Sequence, residues 1–250
     1  MKTTRSEGSI AATGNGLKGL LPTMTRLLLV MTLFTAGCSH QLTVTNINKY
    51  KNVDINSLDK PLTIGIVGNY SVPADQKLLN GIAESLGKYS ANVIMPYTNG
   101  NKGEGADVVA TIAIKSTYEG SGTNFWINFP GFLVWAPAWN GYIYEVNHNV
   151  DVKLANAGGK QFEKFSMPIH LDVRHADINR TWTEASWLEF GAIALIGGIV
   201  FMDYDEKVTP LLADAIQMPV GNYISQEIIK RVNKYMEAIK VSDVSPALRK

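Results

Sequence analysis

Two stretches of the chain alternate between apolar and polar positions, and they set the expected fold. In residues 142–154, Tyr142, Tyr144, Val146, His148, Val150, Val152 and Leu154 share one side. Glu145, Asn147, Asn149, Asp151 and Lys153 share the other, which is the period of a half-buried strand. Ala157-Gly158-Gly159-Lys160 follows, and Gly-Gly is a favoured two-residue hairpin turn. Pairing Ala157 with Lys160 sets Val152 against Phe165, Val150 against Met167, His148 against Ile169 and Val146 against Leu171. A slip of one residue would turn the returning strand's apolar set to the wrong face. Residues 107–119 alternate in the same way, with Val108, Ala110, Ile112, Ile114 and Tyr118 on one side.

Other periods predict the remaining elements. Residues 61–68 are apolar on both faces, as in a covered central strand. In residues 74–90 the apolar positions are 78, 79, 82, 83, 86 and 89, one face of a helix. A short strand over 92–97 and a Gly-rich loop over 99–105 follow. Thr181 and Glu184 have the spacing of a capping box and open a predicted helix over 182–202. Thr209-Pro210 caps a short helix over 211–217, which Pro219-Val220-Gly221 is expected to break. Ile224, Ile228, Val232, Tyr235 and Ile239 then mark a last amphipathic helix, with Glu227 and Arg231 placed to pair at i,i+4. The expected fold is an α/β (α+β) two-layer sandwich: a mainly antiparallel sheet with a long hairpin at 142–174 and helices on one face. Residues 61–240 form its single domain, and 241–250 read as a flexible tail.

The first 60 residues follow a different logic. Arg26 precedes an apolar run over 27–34, then come Thr35, Ala36, Gly37 and Cys38, and the chain turns polar at Ser39, His40 and Gln41. A basic residue, a short apolar run and a small-residue pair form the layout of a secretory signal. Met24 begins that layout alone, so translation starting at Met24 fits it better than a long n-region. Cys38 is the sole cysteine, which excludes an internal disulfide framework. Residues 39–60, with Asn46, Asn48, Asn52 and Asn56, read as a polar spacer with a short strand at 42–45.

This arrangement resembles the lipobox of bacterial lipoprotein precursors, although Thr35 stands where Leu is more usual. The resemblance implies removal of residues 1–37 and acylation of Cys38, with palmitate among the chains. It also implies a mature protein tethered to the membrane by that covalent lipid, with no other cofactor. Ser39 after the cysteine implies sorting to the outer membrane, facing the periplasm. The strand and helix order also loosely resembles, as topology alone, periplasmic domains of envelope-assembly lipoproteins such as those of the curli-secretion channel and the activators of cell-wall synthases.

Charge narrows the partners. Of 23 basic and 22 acidic side chains, four basic and one acidic precede Cys38, which leaves the mature part near −2. That balance offers no electrostatic case for nucleic acid. Residues 125–144 hold eight of the 23 aromatics: Phe125, Trp126, Phe129, Phe132, Trp135, Trp139, Tyr142 and Tyr144. Aromatics gathered in a long connection suit a membrane or protein interface. The first expectation is therefore a non-enzymatic envelope scaffold or docking lipoprotein, with an envelope protein or the bilayer touching Phe125, Trp126, Phe129, Phe132, Trp135 and Trp139.

Two alternatives stand beside it. His170, Asp172 and His175 could bind metal or move protons in a periplasmic metal-binding protein or hydrolase. Strand parity puts His170 and Asp172 on the polar face and His175 on the other, and His148 reads as a core histidine bonded to backbone. Residues 190–202 offer 13 uncharged residues against the ~20 of a membrane helix. They could be a buried helix, a hairpin around Gly197-Gly198, or part of a membrane pore. The region around Gly65 and Gly68 lacks the third glycine of a dinucleotide fingerprint. No serine sits in a nucleophile-elbow context.

Overall fold

Alternation builds the centre of the molecule. In the computed structural model, which describes residues 41–54, 56–89, 91–98, 105–124, 141–176 and 204–244, three long strands lie side by side. They are β4 (Val108–Gly120), β5 (Tyr142–Asn156) and β6 (Gln161–Ala176). Preceding them are β1 (Gln41–Val44), the helical turn α1 (Asn48–Lys51), β2 (Leu62–Val67), α2 (Pro73–Lys88) and β3 (Ala91–Ile94); α3 (Val208–Val244) comes last. The six strands form one sheet in the order β1-β6-β5-β4-β2-β3. β2 runs parallel to β3 and β4, and every other pair is antiparallel. The fold is α+β: among the described residues, a mostly antiparallel open sheet with three helices.

The hairpin has the register that its pattern demands. Val152 faces Phe165, Val150 Met167, His148 Ile169 and Val146 Leu171. Val146, Val150, Val152, Leu154, Ile169 and Leu171 are all buried, while Glu145, Asn147, Asn149 and Lys153 are exposed on the opposite face. The turn differs from a two-residue Gly-Gly turn. The register shifts after Leu154, so that Ala155 faces Gln161 and Phe162 is the extra residue. Asn156 closes the loop: its carbonyl accepts from the Gly159 N–H at 2.8 Å and its Oδ1 from the Lys160 N–H at 3.0 Å. Gly159 has φ +78°, a conformation that glycine adopts at no steric cost.

Helices α2 and α3 cover one face of the sheet. Leu78, Leu79, Ile82 and Leu86 of α2 and Val220, Ile224, Ile228 and Val232 of α3 complete the core. The pair cross where both are smallest. A Cβ on Gly81 would lie 2.1 Å from the Gln217 carbonyl oxygen, and one on Gly221 would lie 2.6 Å from the Gly81 carbonyl carbon. One turn on, Ser85 Oγ donates to Asn222 Oδ1 at 2.7 Å, and Ser225 Oγ donates to the Ile82 carbonyl at 3.0 Å. The expected break at Pro219 does not occur, because α3 runs unbroken through Pro219 to Val244. Proline deprives one carbonyl, that of Ala215, of its helical partner. Ala215 is exposed, so water can serve that carbonyl, while packing against α2 holds residues on both sides of the proline in one helix. The helix also takes in residues 241–244 of the expected tail. The residues predicted as a helix over 182–202 lie outside the described set.

The stretch read as a spacer is packed into the domain from Gln41 onward. β1 pairs with the end of β6, from Gln41 opposite Ala176 to Val44 opposite Val173. Side chains then continue the edge where β1 stops. Asn46 accepts from the Asp172 N–H at 3.1 Å and donates to the His170 carbonyl at 2.9 Å. The Tyr50 hydroxyl accepts from the His170 N–H at 3.0 Å and donates to the His170 carbonyl at 3.1 Å. Tyr50 and Leu58 are core residues. The Asn-rich composition of this stretch hides packing that depends on single side chains. Tyr50→Phe keeps the ring and removes the hydroxyl, so a loss of about 1–2 kcal/mol in urea unfolding is expected. An unchanged midpoint would show that the hydroxyl does not hold the edge.

Candidate functional site

Among the described residues, a concavity lies where the N-terminal ends of α2 and α3 meet the far end of β4. It is a groove of about 1000 Å³ lined by Val72, Pro73, Lys77, Tyr118, Gly120, Tyr204, Glu206, Thr209 and Pro210 among others. Local sequence places each wall. Pro73 starts α2, where its missing N–H costs nothing. Asp205 accepts from the Lys207 N–H at 3.0 Å and, through its carbonyl, from the Val208 N–H at 3.0 Å, which turns the chain into α3. Strand parity brings Tyr118 to the helix-covered face.

Aromatic contacts make the floor rigid. Tyr118 and Tyr204 stack with ring centroids 4.8 Å apart, and Tyr144 meets Tyr204 edge-on at 5.2 Å. The Tyr204 hydroxyl lies 2.9 Å from Thr209 Oγ1. Burial pushes the Tyr204 hydroxyl up to about 12, so it stays protonated and able to donate. Burial also raises Tyr118, partly offset by a hydrogen bond with Ser116. Lys77 is paired with Asp214 of α3 at the groove wall.

Behind Tyr118 lies a second, small cavity of about 10 Å³, lined by Asp75, Leu78, Tyr118, His148, Leu212 and Ile216 among others. That is about the room one water needs. His148 is 6% exposed, with Nδ1 2.7 Å from Ser116 Oγ and Nε2 without a partner among the described residues. Its ring meets Tyr118 edge-on at 6.1 Å. Burial lowers its pKa to about 4, so it is neutral at pH 7. The core-face placement expected for His148 holds, and its bond runs to Ser116 rather than to the backbone. Burial raises the Asp75 carboxyl as well.

The histidine and carboxylate set read from sequence is divided as strand parity requires. His170 and Asp172 are half-exposed on the solvent face, His170 Nε2 3.1 Å from Asp172 Oδ1. His170 Nδ1 is 2.7 Å from Asn147 Oδ1. His175 is 2% exposed and on the covered face. Among the described residues no three His, Cys, Asp or Glu side chains come together to hold a metal ion. Cys38, Phe125, Trp126, Phe129, Phe132, Trp135, Trp139 and residues 190–202 lie outside the described residues. No helix among the described residues is long and apolar enough to cross a membrane.

The attachment of the aromatic connection is nonetheless defined. β4 ends at Gly120, beside the groove, and the Ser121 N–H donates to the Ile143 carbonyl at 3.1 Å. Asn124, fully buried, grips Ile143 from both sides. Its Nδ2 donates to the Ile143 carbonyl at 2.9 Å and its Oδ1 accepts from the Ile143 N–H at 2.8 Å. The described chain therefore stops at Asn124 and resumes at Gly141, both at the groove end of the sheet. Residues 177–203 follow Ala176, the last residue of β6, and return at Tyr204, a groove wall.

Sequence reasoning missed Tyr118, Tyr204, Thr209 and Lys77 as neighbours. They come from β4, α2 and the start of α3, and only the packing of both helices on the sheet brings them together. One local signal was present: the covered face of β4 turns polar at Ser116 and Tyr118 after four aliphatic positions.

No protein-family model and no curated protein matches the chain. Among solved structures it is similar to rare lipoprotein B from Shewanella oneidensis, at 14% identity and a TM-score of 0.31, over 72% of this chain and 97% of that one. A minor lipoprotein from Acinetobacter baumannii is similar at 7% identity and a TM-score of 0.33, over 70% and 95%. An uncharacterized lipoprotein B from Nitrosomonas europaea is similar at 11% identity and a TM-score of 0.34, over 75% and 92%. All three carry the name of bacterial lipoproteins.

Proposed function

We propose that the chain is an outer-membrane lipoprotein, acylated at Cys38, whose periplasmic domain is a docking module rather than an enzyme. The observation that carries the docking reading is the convergence at one sheet end. The groove lies there, and the aromatic-rich residues 125–140 are joined there through Asn124 and Gly141. A wide groove with a stacked-tyrosine floor suits an apolar or aromatic partner surface. His148 is neutral at pH 7 and lines the small cavity behind Tyr118; it is not among the residues that line the groove. The lipid reading rests on the order Arg26, residues 27–34, Ala36-Gly37, Cys38 and Ser39. In this reading the covalent lipid is the only prosthetic group, and the partner is an envelope protein or the bilayer itself.

Two experiments test it. Cys38→Ser is expected to abolish palmitate incorporation and to move the chain from the membrane pellet to the soluble fraction. Continued labelling or pelleting would end the lipidation reading. In that anchor-free form, replacing Trp135 and Trp139 by Ala is expected to reduce cross-linked partner or residual membrane association ~10-fold, the scale of an interface hot spot. Unchanged cross-links and unchanged association would remove the aromatic connection from the docking surface.

A further inference from the structure

Strand β6 is covered along only part of its outer edge. β1 pairs with residues 173–176, and the side chains of Asn46 and Tyr50 then serve His170 and the Asp172 N–H. Backbone groups alternate in direction along a strand, so every second residue points outward. Lys164, Ser166 and Pro168 share the outward direction of His170 and Asp172, and all three are exposed. Among the described residues neither a strand nor a side chain bonds to their outward groups. Pro168 marks the same direction independently, because a strand tolerates proline where its missing N–H would face solvent. The open edge therefore offers the N–H groups of Lys164 and Ser166 and the carbonyls of all three residues.

The chemistry beside this edge is selective. On the solvent face Lys164 stands directly opposite Lys153, and both are exposed. Like charges directly opposite each other oppose strand pairing. Asp151, opposite Ser166, supplies one carboxylate against Lys153, Lys164 and Lys160 at the turn. Farther along the same face Glu119, Glu145 and Asp172 stand side by side, with Arg174 beyond them. The face is thus basic where the edge is open and acidic where Asn46 and Tyr50 close it. On the helix face the charges are matched within the domain. Arg231 pairs with Glu227, lies 3.8 Å from Glu163 and covers the half-buried Phe165 ring at 3.8 Å. Phe162 stacks on Tyr235 at 3.8 Å, and Ile239, 36% exposed, follows one turn on in α3.

We propose that residues 164–168 take up an extended segment of a partner protein as an added strand, with acidic and apolar side chains alternating along it. Main-chain ladder bonds supply the affinity, and side chains on the two faces supply the selection. The acidic side chain lies opposite Lys164 on the solvent face, and the apolar one lies beside Phe165 on the helix face. A second copy of the chain is the poorer fit, since pairing edge to edge sets four lysines against two Asp151 carboxylates on one face. This site is separate from the groove, none of whose lining residues is on β6.

The test uses the full chain in detergent and a fluorescein-labelled peptide of alternating Glu and Val, about six residues long, the usual length of a strand. Saturable binding is expected in fluorescence anisotropy, weakened about 10-fold or more by methylating alternate peptide nitrogens, because those N–H groups enter the ladder. Lys164→Glu should weaken the Glu–Val peptide about 10-fold and strengthen a Lys–Val peptide by a similar factor. That substitution sets opposite charges across β5 and β6, so the sheet survives it. No binding of the Glu–Val peptide at millimolar concentration overturns the site and leaves Lys164 and Pro168 as guards of a blunt edge. Equal binding of the methylated peptide overturns strand addition, and equal binding of the Lys–Val peptide to the parent overturns the charge selection. A dimer in sedimentation velocity that Ser166→Pro abolishes gives the edge to a second copy and overturns the partner.

Discussion

Gly81→Val is expected to destabilise the domain by about 3 kcal/mol, seen as a lower urea midpoint with an unchanged slope. A Cβ at this position would stand 2.1 Å from the Gln217 carbonyl oxygen. That oxygen is backbone and cannot rotate aside, so α2 and α3 must part by more than an ångström. Parting loosens the Ser85–Asn222 and Ser225–Ile82 bonds one turn away, along with the dispersion contacts between the helices. Helix propensity works the other way, since replacing glycine by alanine within a helix gains about 1 kcal/mol. The collision outweighs it. Gly87, also in α2, supplies the control: a Cβ there meets nothing within 4 Å, and Gly87→Ala should stabilise by up to about 1 kcal/mol. A Gly81→Val protein as stable as the parent would mean that the helices do not cross at this point.

The second large effect is a loss of stability in acid through His148. Burial lowers its pKa to about 4 from an ordinary 6.5. Between those values the unfolded chain binds the proton and the folded one does not, so stability falls as pH falls through this window. The full difference, reached near pH 4, is about 3 kcal/mol relative to pH 7. Asp75 works in the opposite direction, since its carboxyl is raised by burial. The clean readout is therefore the difference between parent and His148→Gln in urea midpoints measured from pH 7 to pH 4. The parent should lose about 3 kcal/mol more than the variant over that range. Parallel curves would show that His148 takes up its proton at an ordinary pKa in the folded state.

These two residues also show what the sequence made legible. His148 was placed on the covered face by strand parity alone, and its partner across the hairpin, Ile169, followed from the register. Strands β4, β5 and β6, helix α2 and the mixed α+β class all follow from local periodicity. The helix crossing does not. Gly81 and Ser85, like Gly221 and Ser225, are four residues apart on faces that also carry large apolar side chains. Beside Leu and Ile they look like gaps in a stripe, whereas they mark the line of closest approach. Pro219 looked decisive because its local penalty is plain to read, while the compensating contact with α2 lies more than 130 residues away. The groove was hidden for the same reason, because Lys77, Tyr118 and Tyr204 are neighbours only after the sheet and both helices are in place. Tyr50 was concealed by composition: one ring in a run of asparagines completes the β6 edge.

The grip of Asn124 on Ile143 has a practical consequence. Both backbone groups of Ile143 are satisfied by one side chain at the point where the connection rejoins β5. The end of the β4–β5 pairing is therefore closed by described residues of the domain alone: Ser121, Asn124 and Ile143. A splice at this clasp would allow the segment to be exchanged for another of different length or chemistry without disturbing the sheet. A graft of a different connection between Asn124 and Gly141 is thus expected to leave the register of β4 with β5 unchanged.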